Sequence, residues 1–407
     1  MTPTTLQAAA QKPRPSRAAT SDLQPGAPIS RELALSLICC TDDDLPALLS
    51  AARAAKEGFK PGVITYSRKV FLPLTNLCRD YCGYCIFRRD PGTPGAHTMT
   101  PEEVLAVARA GEKLGCTEAL FSLGDKPELL FPEMRATLRH LVYKSTLHYL
   151  EAMCELVLRE TTLLPHPNPG LLSAEWISRL AAVSPSIGLM LESTNRALLA
   201  PGAAHDNAPD KLPAKRLRTI EEAGKQRVPF TTGLLIGIGE TLEDRVDTLI
   251  AIRDLHDRYG HIQEVIVQNF RAKPRIPMAR VPEPSQGEML RAVAVARLLM
   301  PNVNIQAPPN LNAPYYEELI DAGINDWGGI SPLTPDFINP EKPWPHLEQL
   351  RLRTEGKGQQ LRQRLPVYPE FQPAVISQSG SRQSLLLAEK LEAARDVDGL
   401  ARIRSAA

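Results

Sequence analysis

The sequence predicts an α/β fold organised as a (β/α)8 TIM-type barrel, on three observations. From Lys69 onward, short apolar runs alternate with longer amphipathic stretches, and eight such pairs can be counted. Repeated strand–helix alternation feeds a parallel sheet, and eight repeats close it most economically into a barrel. Polar or glycine residues follow each run in turn: Cys78, Gly124-Asp125, His166 with Asn168, Glu192, Glu240, Asn269, Asn310 and Thr334. In a barrel all of these fall on the C-terminal rim, where active sites are assembled. Finally, 407 residues at 43% apolar and 23% charged can bury a core of that size.

Taken in order, residues 1–30 lack apolar periodicity and are rich in Pro, Ser, Thr and Ala, which predicts a disordered N-terminal arm. Its basic start, with no acidic residue before Asp22, is a weak transit-peptide pattern. Residues 31–60 form a helical lead-in, two helices separated by Asp42 to Asp44. The barrel occupies 61–340. Its strands are expected at Val70–Leu74, Ala119–Leu123, Leu163–Pro165, Ile187–Leu191, Phe230–Ile238, Val265–Val267, Val303–Ile305 and, weakly, Trp327–Ile330. Among its helical patterns are Glu102–Leu114, Phe131–Arg159, Ala174–Ala182, Pro213–Gln226, Leu242–Tyr259, Gln286–Met300 and Tyr315–Ala322. The first is signalled by Thr100-Pro101-Glu102-Glu103, a hydroxyl cap, a proline in the first turn and a glutamate placed for a capping box. Residues 341–407, proline-rich and then helical near Leu385–Ala394, read as a C-terminal extension packed outside the barrel or partly ordered.

A formal charge of +1 gives no global footprint for nucleic acid, and no run approaches a membrane span, so neither partner is expected. Seven cysteines, three of them within eight residues, argue for a reducing compartment and a cytoplasmic location.

Those three form Cys78-Arg79-Asp80-Tyr81-Cys82-Gly83-Tyr84-Cys85 on the loop after the first strand. Soft thiolates converging from one loop select zinc or an iron–sulfur cluster. A structural zinc site needs four ligands, and a fourth would have to come from a distant His97 or His166. A 4Fe–4S cluster held by three thiolates leaves one iron open. Cys39, Cys40, Cys116 and Cys154 read as packed small hydrophobes.

The CxxxCxxC loop, with aromatic Tyr84 before its last cysteine, resembles the signature of the radical S-adenosylmethionine enzymes. The resemblance implies one 4Fe–4S cluster on Cys78, Cys82 and Cys85, whose open iron chelates S-adenosylmethionine. It further implies that Tyr84 lies by the adenine and that Gly124 and Asp125 meet the methionine ammonium. By the same resemblance Glu192 holds the ribose, and the Gly233–Glu240 strand, with Gly237 and Glu240, packs on the adenine. Segments across roughly 60–350 are similar to the cyclising (CofG-type) deazariboflavin synthases, among them Leu74–Asp80, Phe121–Glu128, Leu164–Gly170, Gln263–Pro274, Ile305–Leu311 and Asp326–Pro332. The chain departs from that pattern at Arg275-Ile276-Pro277 and at 203–207, which puts loop geometry in question. The resemblance implies ring closure of 5-amino-5-(4-hydroxybenzyl)-6-(D-ribitylimino)-5,6-dihydrouracil with release of ammonia, in coenzyme F-420 biosynthesis. It also implies a sister coupling subunit (CofH-type) and an electron donor such as ferredoxin or flavodoxin. For an uncharged aromatic substrate, His166, Asn269, Gln306, Asn310 and Trp327 are the candidate contacts. The rivals are the coupling sister, another radical enzyme of similar architecture, and a non-catalytic metal or electron-transfer protein.

Overall fold

The computed structural model describes residues 27–377 and 380–402. The expected N-terminal arm therefore lies outside the described residues up to position 26. Eight parallel strands form the barrel: β1 Val63–Thr75, β2 Glu118–Leu123, β3 Leu164–Asn168, β4 Ile187–Gly188, β5 Phe230–Ile236, β6 Ile262–Asn269, β7 Asn304–Gln306 and β8 Asp326–Ile330. Their order, β3-β2-β1-β8-β7-β6-β5-β4, leaves β3 and β4 as the two edges, so the barrel is nearly closed. Every expected run falls within or beside a strand.

The lead-in is two helices, Arg31–Ile38 and Leu45–Phe59, whose buried leucines and alanines pack into the main core. The Thr100 capping box forms as the sequence predicts, with Thr100 accepting from the Glu103 amide and Glu103 accepting from that of Thr100. The single helix expected over Phe131–Arg159 is instead two, Pro132–His140 and Thr146–Glu160. The break follows from Val142, in the left-handed region at φ 64°, and from Ser145, which caps the second helix by accepting from the His148 amide. The last barrel helix is also shorter than expected, Glu318–Asp321.

The C-terminal extension corrects the reading more substantially. After helix Leu347–Gly356, residues Gln360–Arg364 form β9, which pairs in parallel with Val63–Ser67 at the lower end of β1. The extension therefore joins the sheet and closes the bottom of the barrel. Its Leu365, Val367, Val375, Leu387 and Leu391 form a separate buried cluster with Leu158 and Leu164.

Candidate active site

The cysteine loop leaves β1 at the rim and is clamped from two sides. The Gly83 and Tyr81 amides donate to the carbonyls of Ala204 (2.7 Å) and Asn207 (3.1 Å), and the Met278 amide donates to the Gly83 carbonyl (3.1 Å). One of the two segments where the sequence departs from the deazariboflavin synthase pattern, 203–207, thus grips this loop directly, and the other, 275–277, ends next to Met278, which does; the Arg79 amide adds a third hold by donating to the Asp125 carbonyl (3.2 Å). Tyr84, Leu198, Leu235, Ile238, Phe270, Ile276 and Met278 form an apolar shell against which Cys82 and Cys85 pack.

Cys78 Sγ accepts backbone N–H groups from Asp80 (3.4 Å) and Asp125 (3.2 Å), an environment that favours a thiolate or metal-bound sulfur. Burial opposes this for a free thiol, pushing Cys78 up to about 12 and raising Cys82 as well. The conflict would be resolved if the three sulfurs held a metal centre, which would keep them deprotonated. Three cysteine sulfurs, two of them packed on an apolar shell, fit an iron–sulfur cluster; His166 lies in the barrel interior and His97 pairs with Glu103 at the surface, so neither completes a zinc site.

A cavity of about 280 Å³ opens beside the cysteines, lined among others by Tyr84, Gly124, Asp125, Glu192, Lys211 and Arg216. Gly124 is required sterically, since a Cβ there would run into the Leu77 carbonyl and the Cβ of Cys78. Burial raises the Asp125 carboxyl against the opposing pull of Lys126, which pairs with it at 2.6 Å. Glu192 sits at φ 67°, a strained backbone for a glutamate. Burial would push its carboxyl up, but Lys211 (2.6 Å) and Arg216 outweigh it and hold Glu192 ionised. The Tyr84 hydroxyl is 3.4 Å from Glu192 and 3.1 Å from His205 Nε2. Arg216 donates to the carbonyls of Met190 and Asp210 and has no carboxylate partner among the described residues, so its charge is free to meet an anion.

Ser122, Asn168, Met190, Gln268, Ile338 and Asn339 line this cavity and also a second one of about 210 Å³ deeper in the barrel. His166 and Gln306 face that lower chamber, and Asn269 faces the upper cavity. Trp327 does not reach either. It is fully buried on the outer side of β8, donating from Nε1 to Thr354 Oγ1 (3.0 Å) and meeting Tyr316 edge-on. Asn310 braces the loop after β8, donating to Asp336 (3.0 Å) and to the Lys342 carbonyl. Glu240 likewise turns inward to accept the amides of Gly237 (2.7 Å) and Ile238 (2.8 Å) and to pair with Arg245, so it holds the turn and lines neither of these two cavities. Gly237 supplies that turn's φ of 90° and packs on Pro284 and Phe270.

Sequence reasoning missed Lys211, Arg216 and the charged layer of the lower chamber. The only signal available was the presence of Lys69, Glu118 and Glu264 within otherwise apolar strands.

Comparison with known proteins agrees with this geometry. Residues 72–252 match the Radical SAM superfamily. The 7,8-didemethyl-8-hydroxy-5-deazariboflavin synthase of Methanopyrus kandleri is 47% identical over 309 residues, covering 76% of this chain and 92% of that protein. The FO synthases of Streptomyces coelicolor and Mycobacterium tuberculosis are 51% and 52% identical, and the match spans 38% of each of those longer proteins. Among solved structures, the FeFe-hydrogenase maturase HydG from Carboxydothermus hydrogenoformans superposes with TM-score 0.69 at 20% identity, covering 93% of this chain and 89% of that one. Methylornithine synthase (PylB) gives 0.65 at 17%, covering 84% and 96%. These two share the fold. The chain belongs to the radical SAM superfamily and, within it, to the 7,8-didemethyl-8-hydroxy-5-deazariboflavin synthase family, the CofG-type enzymes of FO biosynthesis.

Proposed function

We propose that this chain is the cyclising enzyme of deazaflavin formation, acting on 5-amino-5-(4-hydroxybenzyl)-6-(D-ribitylimino)-5,6-dihydrouracil and releasing ammonia. The observation that carries the reading is a three-cysteine loop opening onto a cavity that shares lining residues with a second chamber inside the barrel, one with a charged floor. Cys78, Cys82 and Cys85 would hold one 4Fe–4S cluster, with S-adenosylmethionine beside it. Together, when bound, these supply a 5′-deoxyadenosyl radical that removes a hydrogen atom from the substrate.

The protein's part is binding and exclusion. Asp125 offers a carboxylate and Gly124 a close backbone approach for the methionine ammonium, while unpaired Arg216 suits its carboxylate. Glu192, kept ionised by Lys211, can accept from two ribose hydroxyls. The apolar shell of Tyr84, Leu235, Ile238 and Phe270 excludes water from a reactive radical. A sister coupling subunit that supplies the adduct and a low-potential electron donor such as ferredoxin or flavodoxin complete the system, in the cytoplasm. No helix among the described residues is long and apolar enough to cross a membrane.

The test is anaerobic turnover with the preformed adduct, S-adenosylmethionine and reductant. The expected products are 5′-deoxyadenosine, methionine, ammonia and a fluorescent deazaflavin. Formation of the adduct from tyrosine and 5-amino-6-ribitylaminouracil would instead make the chain the coupling sister.

A further inference from the structure

Parallel barrels are ordinarily filled by layers of branched aliphatic side chains. The lower chamber here has a charged floor of Lys69, Glu118, Glu264 and Arg364. Buried charges are costly unless paired, and each of these is paired. Lys69 meets Glu118 at 2.6 Å, and Arg364, brought in by β9, meets Glu264 at 2.7 Å and Asp326 at 2.7 Å. One layer higher, apolar Phe71, Leu120 and Ile266 alternate with His166 and Gln306, and Trp344 stacks on Phe71 with ring centroids 5.2 Å apart.

His166 is fixed as an acceptor. Ser186 Oγ lies 2.7 Å from the Pro366 carbonyl oxygen and 2.7 Å from His166 Nδ1. A carbonyl has no hydrogen to give, so the hydroxyl hydrogen points to Pro366 and Nδ1 carries the ring hydrogen. Nε2 is left as a bare lone pair with no partner among the described residues, facing Gly188, where a Cβ would stand 2.9 Å away. Burial lowers the imidazole to about 4, with Glu118 pulling the other way, so the ring is neutral at physiological pH.

Resting on the cyclase reading above, we propose that the lower chamber is a binding site for an open-chain polyol. It takes the ribityl arm of the substrate, directed onto the charged floor, with the rings held beside Phe71 and Trp344 beneath the cysteine loop. Orientation allows it: the carbon that loses hydrogen must face the cysteine end, and the lower chamber is the space left below it for the arm that does not react. Chemistry agrees. Hydroxyls both donate and accept, and so can satisfy Nε2 of His166, the Gln306 amide and the unused lone pairs of the paired carboxylates. An apolar group would leave those buried atoms unsatisfied. Because the floor's charges are already matched, it has no free cation for a phosphate or carboxylate.

The test is calorimetric binding to cluster- and S-adenosylmethionine-loaded protein kept unreduced, so that no turnover occurs. The two ligands are the adduct and an analogue in which methyl replaces the ribityl arm. The analogue should bind at least tenfold more weakly. His166→Phe and Gln306→Leu should each weaken the ribityl ligand severalfold and leave the methyl analogue unchanged; if one variant fails to fold, the other carries the comparison. Equal affinities for the two ligands, or equal losses on both in a folded variant, would overturn the polyol site. Turnover is scored separately. A clear ribityl preference without cyclisation would sink the reaction and spare the site, whereas cyclisation without preference would do the reverse.

Discussion

The rim cavity and the floor chamber are adjacent spaces in one barrel built on opposite principles. The rim takes its defining atoms from a loop of eight consecutive residues, Cys78 to Cys85, gripped by backbone hydrogen bonds from three other loops. The floor takes Lys69 from β1, Glu118 from β2, Glu264 from β6 and Arg364 from β9, so its ion pairs join residues far apart in sequence. The rim therefore carries chemistry that a short motif can encode, and its loss should spare the fold. Removing a floor charge should instead damage the fold itself.

The sharpest way to break this contrast is at the cysteines. Cys78→Ala, Cys82→Ala or Cys85→Ala should abolish bound iron and all turnover while leaving the unfolding midpoint of the metal-free protein nearly unchanged; intact iron in the triple variant, by metal analysis, would undo the assignment. Next comes Arg364→Met, which strands Glu264 and Asp326 without their cation and should cost about 3–5 kcal/mol in denaturant unfolding. Glu192→Ala should raise the dissociation constant for S-adenosylmethionine tenfold or more, about 1.5–3 kcal/mol, with the cluster retained. An unchanged constant would place the ribose elsewhere.

Acid should also act on the interior. His166 and His261 are lowered from 6.5 to about 4 in the folded state, mainly by burial. The unfolded chain takes up their protons first, so the stability they confer is complete above pH 6.5 and is lost as the pH falls towards 4. Each contributes at most about 1.4 kcal/mol per pH unit. His166→Phe should flatten that slope in pH-dependent unfolding. The smallest effect is expected far from both cavities: Thr100→Ala removes a helix cap worth about 1 kcal/mol and should change neither cofactor nor ligand binding.

The barrel was legible because strand and helix periodicities are local, and Thr100 to Glu103 even announces its own cap. The cysteine loop was legible for the same reason. Position after a strand was a weaker guide. Asn269 reaches the upper cavity, yet Asn310 and Glu240, in equivalent places, spend their polar groups bracing turns. Trp327 alternates outward on β8 and serves the packing of helix Leu347–Gly356. Nothing local could reveal that Arg364 closes the barrel floor, because that role depends on β9 returning to pair with β1.

Three cysteines holding a cluster with one open iron is the property from which the function follows, and Mössbauer spectroscopy of protein reconstituted with 57Fe reads it. The expected spectrum is that of one 4Fe–4S cluster per chain, with the signal of a single iron site shifting when S-adenosylmethionine is added and the other irons unmoved. A cluster whose irons all ignore S-adenosylmethionine, or a chain that takes up zinc in place of iron, would contradict it.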